Sequence, residues 1–199
     1  MASNIEIKAR IASIDALLPK AAALADQGPC EIFQDDIFFA CPNGRLKLRI
    51  LAPDAGQLIF YRRTDQRGPK ESFYLIYPTP DPDALARVLS LALGKTGRVR
   101  KKRTLFLAGR TRIHLDRVEG LGDFIELEVV LADGESAETG KAVARDLMER
   151  LGISDDQLIE GAYIDLLQEA APNCRDSGGE SAIDPAWFPN EKPVNGGER

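Results

Sequence analysis

The chain has 199 residues and a mass of 21.8 kDa, which is enough for one domain with a buried core and short for two. Its formal net charge of -5 argues against a general nucleic-acid binder, because domains that bind nucleic acid are usually basic. The three cysteines, Cys30, Cys41 and Cys174, show neither the even count of a disulfide framework nor the spacing of a zinc site, so we expect free thiols in a reducing compartment.

Membrane and export signals are expected to be absent. No apolar run approaches the length of a membrane-spanning helix, and Glu6 stands where a signal peptide would have its apolar core. We therefore expect a cytoplasmic protein that binds neither membranes nor nucleic acid.

The first predicted element is a strand at residues 4–10, where apolar and polar side chains alternate. One face carries Ile5, Ile7 and Ala9. The other face carries Asn4, Glu6, Lys8 and Arg10. An exposed edge strand would give the same pattern, but rows of like charge recur on later strands. These rows are Arg45, Lys47 and Arg49, and Glu126 and Glu128. A closed barrel with such rows could hold a polyanion, because cations face phosphate oxygens and carboxylates hold divalent ions that bridge to them.

Ser13 and Asp15 are typical of a helix start, and the alanine-rich stretch after them predicts a helix that continues to Gly28. Pro19 lies inside this stretch and is expected to kink the helix or delay its start. Four strands follow, at residues 30–40, 44–52, 57–63 and 73–77. The turn Pro42-Asn43-Gly44 joins the first two as a hairpin.

A second helix is predicted from the turn at 80–83 to Gly94. Three more strands and two helices follow, at residues 98–108, 110–118, 123–131, 138–151 and 155–170. Beyond Pro172 the composition is polar, so residues 171–199 are expected to form a loosely ordered tail that Trp187 and Phe188 could pin to the body.

Residues 1–170 are therefore expected to form one α+β domain. Its eight antiparallel strands would close into a barrel with the helices packed outside, because closure removes exposed strand edges.

Seven segments of the chain, taken in order, resemble the CYTH proteins, a superfamily that unites class IV adenylate cyclases, thiamine triphosphatases and inorganic triphosphatases. The segments are IEIKAR (5–10), GRLKLR (44–49), YRR (61–63), VRKKR (99–103), RIHLD (112–116), GLGDFIELE (120–128) and YIDLL (163–167). The resemblance runs from residue 3 to residue 168, and the run 112–128 is most similar to the class IV cyclase branch. It implies a triphosphate tunnel fold, an eight-stranded antiparallel barrel that binds the triphosphate of a nucleotide or of polyphosphate with Mg²⁺ or Mn²⁺.

The resemblance also implies site residues. Catalytic roles are assigned to Lys8, Lys101 and Arg103. Substrate-binding roles are assigned to Arg45, Lys47, Arg49, Arg62, Arg112 and His114. The expected metal ligands are Glu6, Asp116, Glu126 and Glu128. Lys8 matches the lysine of the family's opening E-x-E-x-K motif, but Asn4 stands where its first glutamate would be. An amide binds a hard cation more weakly than a carboxylate does, so one metal position is in question.

Several of these assignments have a structural alternative. A solvated strand face would equally explain Glu126 with Glu128, and Lys101 with Arg103. His114 is as compatible with a structural hydrogen bond as with ligand contact.

Three neighbouring residues are expected to lie outside the site. Arg100 and Lys102 alternate onto the opposite face of their strand and should meet solvent. Tyr163 is more typical of a core than of a site, although the family tends to keep a tyrosine there.

The first functional hypothesis is a class IV adenylate cyclase-like enzyme that converts ATP into cyclic AMP and pyrophosphate. The enzymatic alternative is an inorganic or organic triphosphate hydrolase of the tripolyphosphatase or thiamine triphosphatase type, because the same tunnel serves both reactions. The third hypothesis, motivated by Asn4, is a module that binds polyphosphate or nucleotide without turnover. The expected partner is a nucleoside triphosphate or a polyphosphate, and a homodimer is left open.

Overall fold

Eight antiparallel strands close into a barrel in the computed structural model, which describes residues 3–63 and 68–170. The strands are β1 (Ser3–Arg10), β2 (Gln27–Phe39), β3 (Arg45–Ala52), β4 (Ala55–Arg63), β5 (Lys70–Thr79), β6 (Lys95–Ala108), β7 (Thr111–Val118) and β8 (Gly122–Val130). The α-helices are α1 (Ile14–Leu24), α2 (Pro82–Leu93), α3 (Ala137–Leu151) and α4 (Tyr163–Ala170), and Asp155–Gln157 form a short 3-10 helix. The expected tail at 171–199, with Trp187 and Phe188, lies outside the described residues.

The order of strands around the barrel is β1-β5-β4-β3-β2-β6-β7-β8, and β8 pairs with β1 to complete the ring. All of these pairings are antiparallel. The predicted eight-stranded antiparallel barrel with helices outside it is therefore confirmed.

The register of β1, β7 and β8 brings charged residues from distant segments to the same level of the barrel. Glu6 lies opposite Glu128, and Lys8 lies opposite Glu126. His114 of β7 lies opposite Glu126 on the other side of β8. Because side chains alternate between the two faces of a strand, residues opposite each other point to the same side of the sheet. These side chains all point into the barrel.

The hydrophobic cores lie between the outer face of the barrel and the helices. α1 and α3 pack over the strands β1, β7 and β8, and this core includes Ile7, Leu127 and Leu151. α2 covers β2 and β3 in a second core with Ile37 and Leu48. On β1, β7 and β8 the apolar faces thus turn outward toward the helices, and the charged faces turn inward.

The prediction of a helix at 155–170 is wrong for its N-terminal part, where the structure has only a 3-10 helix at Asp155–Gln157. After the 3-10 helix, Leu158 forms an isolated bridge with Ala9, and the Ile159 amide donates to the Lys8 carbonyl at 3.0 Å. β5 pairs with β1 only as far as Glu6, so this segment takes the β1 edge that β5 leaves. Helical structure resumes only at Tyr163.

The helix α4 lies across the end of the barrel where β2 and β7 finish and β6 and β8 begin. Its residues Tyr163 and Ile164 pack with Phe38, Val99 and Phe124 in a third hydrophobic cluster. The Ile164 side chain lies so close to Gly97 that a β-carbon at position 97 would clash with it. One end of the barrel is therefore covered by α4.

The first helix is shorter than predicted. Ser13 caps it by accepting from the Asp15 amide at 3.1 Å, and Pro19 lies inside it without delaying its start. The helix ends at Leu24, and Gly28 belongs to β2, where its φ of 112° favours glycine and a β-carbon would lie 2.7 Å from the Leu105 carbonyl oxygen.

None of the helices in the described part of the chain combines the length and the hydrophobicity needed to cross a membrane.

Candidate functional site

The barrel encloses a cavity of about 320 Å³, and all eight strands and the start of α4 contribute side chains to its wall. Among the described residues, the lysines and arginines in this wall are Lys8, Lys47, Arg49, Lys101, Arg103 and Arg112. The acidic residues in it are Glu6, Asp36, Glu126 and Glu128. Burying so many charges is costly unless they are paired, so the cavity is suited to a charged ligand and not to an apolar one.

Asp116 is a fully buried carboxylate that holds two of the cations in place. It accepts from Lys101 Nζ at 2.7 Å, from Arg103 Nε at 2.6 Å and from the Tyr163 hydroxyl at 3.1 Å. Burial by itself would raise the pKa of Asp116, but the charges of Arg103 and Lys101 outweigh it and hold that pKa well below its usual range.

The metal-binding role expected for Asp116 stays a prediction, and the structure places this carboxylate among cations behind the cavity wall. Its carboxylate oxygens are engaged by three donors, and Asp116 is not part of the cavity wall. The role that the structure gives it is to position Lys101 and Arg103.

Glu126 lies between cations from two other strands. Lys8 Nζ is 3.0 Å from its Oε1 atom, and the Arg103 guanidinium donates to its Oε2 atom. Burial would raise the pKa of Glu126, but the charges of Lys8, Lys101 and Arg103 keep it well below its ordinary value. Glu126 is therefore ionised and holds Lys8 and Arg103 side by side in the cavity.

His114 completes a group of potential metal ligands with Glu126 and Glu128. Ligand atoms of these three residues lie within 4.8 Å of one another, the only such group among the described residues. The His114 Nδ1 atom is 3.8 Å from a carboxylate oxygen of each glutamate. Burial would raise the pKa of Glu128, but the charges of Arg103 and Arg112 help to keep it below its usual value. Two carboxylates and an imidazole fit a divalent cation, so the donor set agrees with the metal that the family resemblance implies.

The two remaining metal-motif positions on β1 also face the cavity. Glu6 lines it, opposite Glu128 in the ladder, but is not part of the three-residue group. Asn4 is 4% exposed, and its Oδ1 atom has no hydrogen-bond partner within residues 3–63 and 68–170. Asn4, the neutral residue at the place of the motif's first glutamate, thus lies inside the cavity.

Asp36 is a site residue that the sequence reasoning missed. It is 3% exposed and accepts from Lys47 at 2.6 Å and from Arg49 at 2.8 Å. Burial and the neighbouring Arg49 lower the pKa of Lys47 to about 7, although the charge of Asp36 opposes this shift. Alternation along β2 could have found Asp36, because Gln34 and Phe38 on the same face also line the cavity.

Two expected substrate-binding residues do not line the cavity. Arg45 pairs with Asp165 of α4 at 2.8 Å, beyond the end of the cavity wall. Arg62 points outward, with its guanidinium 5.4 Å from the centre of the Phe73 ring, because Tyr61 beside it points inward. The structure therefore places neither expected residue in the cavity wall: Arg45 lies farther along the barrel axis, and Arg62 lies on the outer face of β4.

Arg112 and Tyr163 complete the polar part of the site. The Arg112 side chain is 40% exposed and its Nη1 atom lies 3.3 Å from Glu128, which places it at the rim of the cavity. The Tyr163 ring lies beneath two ammonium groups, with Lys8 Nζ 3.9 Å and Lys101 Nζ 4.9 Å from its centre. Burial and the charge of Asp116 raise the pKa of Tyr163 well above its ordinary value, so its hydroxyl stays protonated and donates.

The outward residues of β6 make pairs away from the cavity, as alternation predicts, but Arg100 does not reach into open solvent as expected, because it lies beside the buried Asp35. Arg98 and Arg100 lie 2.5 Å and 3.4 Å from the buried carboxylate of Asp35. Lys102 is more exposed and pairs with Glu31 at 2.8 Å. The cationic run on β6 is thus divided between the cavity and the outer surface.

An apolar wall lines the part of the cavity nearest α4. Its members are Phe38, Ile59, Tyr61, Val99 and Ala162. Lys47 Nζ lies 5.7 Å from the centres of both the Phe38 and the Tyr61 rings, so this wall adjoins the cations of β3. The cavity therefore offers a charged surface and an aromatic surface next to each other.

Comparison with known proteins agrees with this arrangement. The family model of the CYTH domain matches residues 2–163. Adenylate cyclase CyaB from Aeromonas hydrophila is 27% identical over 176 residues, covering 84% of this chain and 90% of that protein.

Solved structures share the fold. The PH1012 protein from Pyrococcus horikoshii OT3 has a TM-score of 0.74 at 26% identity, covering 82% of this chain and 98% of that one. A putative adenylyl cyclase from Hippeastrum, described as having a dominant triphosphatase activity, has a TM-score of 0.59 at 18% identity, covering 83% and 95%.

Proposed function

This chain belongs to the CYTH domain family, and on that premise we propose that it is a class IV adenylate cyclase-like enzyme that converts ATP into cyclic AMP and pyrophosphate. The observation that carries the proposal is the convergence of six lysines and arginines and a metal-compatible donor set in one cavity. The similarity to an adenylate cyclase over most of both chains supports cyclisation as the reaction.

The cations would hold the triphosphate from opposite sides. β3 and β8 are four strands apart in either direction around the barrel, so Lys47 and Arg49 face the carboxylates of β8 across the cavity. Lys101 and Arg103 approach from β6, between these two walls. Arginine suits bidentate contact with phosphate and lysine acts as a point charge, so the set is suited to a polyphosphate chain.

Three of the cations are already oriented before any ligand arrives. Lys8 and Arg103 are held by Glu126, Lys101 and Arg103 are held by Asp116, and the Tyr163 ring supports both lysines. Groups that are fixed in advance need no reorganisation when charge develops during phosphoryl transfer. We assign the catalytic contacts with the reacting phosphate to Lys8, Lys101 and Arg103 on this basis.

Glu126 and Glu128 would hold a divalent cation such as Mg²⁺ or Mn²⁺, with Glu6 beside them. Such an ion, when bound, neutralises phosphate oxygens and polarises their bonds. The other contacts with the phosphates would come from protein side chains, namely Lys8, Lys101 and Arg103.

Cyclisation requires the adenosine to enter the barrel with the triphosphate. The ribose 3'-hydroxyl oxygen attacks the α-phosphorus and gives up its proton to solvent. The bond from that phosphorus to the oxygen bridging to the β-phosphorus breaks, and pyrophosphate leaves with that oxygen. The apolar wall formed by Phe38, Ile59 and Tyr61 is a surface on which an adenine ring could stack. This wall favours a nucleotide over an inorganic chain as the substrate.

The proposal includes a cytoplasmic location, because ATP is available as a substrate in the cytoplasm.

Hydrolysis of a triphosphate is the second candidate. It needs only the charged part of the cavity and a water molecule, and the Hippeastrum protein with the same fold is described as having a dominant triphosphatase activity. Here water attacks the terminal phosphorus, and the shortened phosphate chain leaves as its bridging bond breaks.

Product analysis tests both candidates. The purified protein is incubated with ATP or with tripolyphosphate in Mg²⁺ or Mn²⁺, and Lys101→Met is compared with Lys102→Met, its neighbour on the outer face of β6. Cyclic AMP and pyrophosphate, lost in Lys101→Met and kept in Lys102→Met, are the expected result. Orthophosphate instead would favour the hydrolase, and binding without any product would leave only a polyphosphate-binding module.

A further inference from the structure

His114 is a buried imidazole whose Nδ1 atom lacks a hydrogen-bond partner in the described part of the chain. The residue is 4% exposed, so bulk water does not readily replace the missing partner. Leaving a buried polar atom unsatisfied is unfavourable, so such an atom in a native fold calls for an explanation. The structural hydrogen bond that the sequence allowed at this nitrogen is not formed.

The surroundings of Nδ1 are those of a cation site. A carboxylate oxygen of Glu126 and one of Glu128 each lie 3.8 Å from Nδ1, too far for a hydrogen bond. Two ligands that share one ion at about 2.1 Å lie roughly 3 to 3.5 Å apart, so a small adjustment would let all three atoms bind the same ion. The strand register fixes this approach, because His114 lies directly opposite Glu126 on β7 and β8.

β1 supplies a single carboxylate, that of Glu6, to the cavity. Asn4 contributes a neutral amide oxygen that has no hydrogen-bond partner among the described residues, and Glu6 is outside the three-residue group. Mg²⁺ strongly prefers oxygen ligands, whereas an imidazole nitrogen favours first-row transition-metal ions. The donor set therefore departs from that of a dedicated Mg²⁺ site.

We propose that Nδ1 of His114 is a direct ligand of the divalent ion, together with Glu126 and Glu128, and that this centre selects a first-row transition-metal ion over Mg²⁺. The inference rests on the proposed function only in requiring that the cavity binds a metal. It assigns to His114 a role different from the substrate contact expected from the sequence.

Pulsed electron paramagnetic resonance on bound Mn²⁺ tests the proposal. His114 is the only histidine in the chain, so with untagged protein any directly coordinated imidazole nitrogen must belong to it. Mn²⁺ is added with and without tripolyphosphate, and electron spin echo modulation is recorded for protein with natural histidine and with histidine labelled with ¹⁵N. A nitrogen coupling that changes with the label and disappears in His114→Gln is the expected result.

Metal affinity gives a second readout. Calorimetric titration of His114→Gln should show Mn²⁺ binding weakened by about tenfold or more and Mg²⁺ binding changed by less than about threefold. Gln34→Leu removes another buried side chain of the same cavity, one whose Oε1 atom also lacks a hydrogen-bond partner among the described residues. It removes none of the three proposed ligands and should leave the ratio of Mn²⁺ to Mg²⁺ affinity unchanged.

The contrary outcomes separate this inference from the proposed function. Bound Mn²⁺ without a coupled imidazole nitrogen, or equal loss of Mn²⁺ and Mg²⁺ binding in His114→Gln, overturns the inference even if the protein makes cyclic AMP. A label-dependent coupling in a protein that turns over neither ATP nor tripolyphosphate supports the inference and contradicts the proposed function. Absence of Mn²⁺ binding under both conditions overturns the inference.

Discussion

Lys8 of β1 and Glu126 of β8 form an ion pair at 3.0 Å inside the barrel, although they come from the first and the last strands of the sequence. The pair exists because β1 and β8 close the ring and set these two residues opposite each other. Arg103 joins it from β6 by donating to the same carboxylate. Closure of the barrel thus assembles the site around Glu126.

Glu126→Gln should reduce turnover by roughly 100-fold or more, because it removes both a metal ligand and the charge that orients Lys8 and Arg103. Steady-state product formation with ATP and with tripolyphosphate measures the effect. Glu31→Gln, which alters only the outward pair with Lys102, is the control and should retain full activity. Equal rates for wild type and Glu126→Gln would remove Glu126 from the site.

Asp116→Asn should destabilise the fold by roughly 3 to 5 kcal/mol, because Lys101 and Arg103 would lose their buried partner. Tyr163→Phe removes only the hydroxyl hydrogen bond to the same carboxylate and should cost about 1 kcal/mol. Urea denaturation of the two variants measures both losses. If Asp116→Asn unfolded at the wild-type urea concentration, the positioning role assigned to Asp116 would be wrong.

Lys47 should take up a proton when a triphosphate binds above neutral pH. Its pKa of about 7 lies below the ordinary lysine value of 10.5, and phosphate oxygens nearby would raise it. Calorimetric titration with tripolyphosphate at about pH 8, in buffers of different ionisation enthalpy, measures this uptake.

Lys47→Met is the control that accounts for protons taken up by the phosphates themselves. An identical uptake in this variant and in the wild type would contradict the shifted pKa.

The lowered pKa of Lys47 also affects the stability of the fold. Because the unfolded chain binds more protons than the folded chain between about pH 7 and 10.5, the contribution of Lys47 to the free energy of unfolding increases with pH in that range.

Arg49 and Arg62 should differ in their effect on binding, since Arg49 lines the cavity and Arg62 points outward. Arg49→Ala is expected to weaken tripolyphosphate binding roughly 10- to 100-fold, the loss of a charged hydrogen bond. Arg62→Ala should change the affinity by less than about twofold. Similar losses in both variants would indicate that the ligand also contacts the outer surface.

The fold was predictable because alternation is a local property of each strand. The rows at Lys47 with Arg49 and at Glu126 with Glu128 lie on single strands, and their common face follows from a period of two. The error in the first part of the predicted helix at 155–170 has a non-local cause. Leu158 and Ile159 satisfy the open edge of β1, and nothing in their own sequence reveals that edge.

The site was predictable only in part, because alternation gives the face of a residue but not its depth or its partner. Arg45 shares a face with Lys47, yet it lies at the end of β3 and pairs with Asp165 of α4. Asp116 faces inward, but cations that surround it in the folded barrel keep it from the cavity wall. Alternation along β2 gives the inward face of Asp36, but not its pairing with Lys47 and Arg49 of the neighbouring strand.

Whether the barrel holds a triphosphate and its metal can be seen in a crystal structure with tripolyphosphate and Mn²⁺, with anomalous scattering to locate the ion. We expect phosphate oxygens inside the barrel within hydrogen-bond distance of Arg49 and Arg103, and an Mn²⁺ peak beside Glu126 and Glu128. Phosphate density confined to the outer surface, with the Lys8–Glu126 pair unchanged and no Mn²⁺ in the cavity, would contradict this expectation.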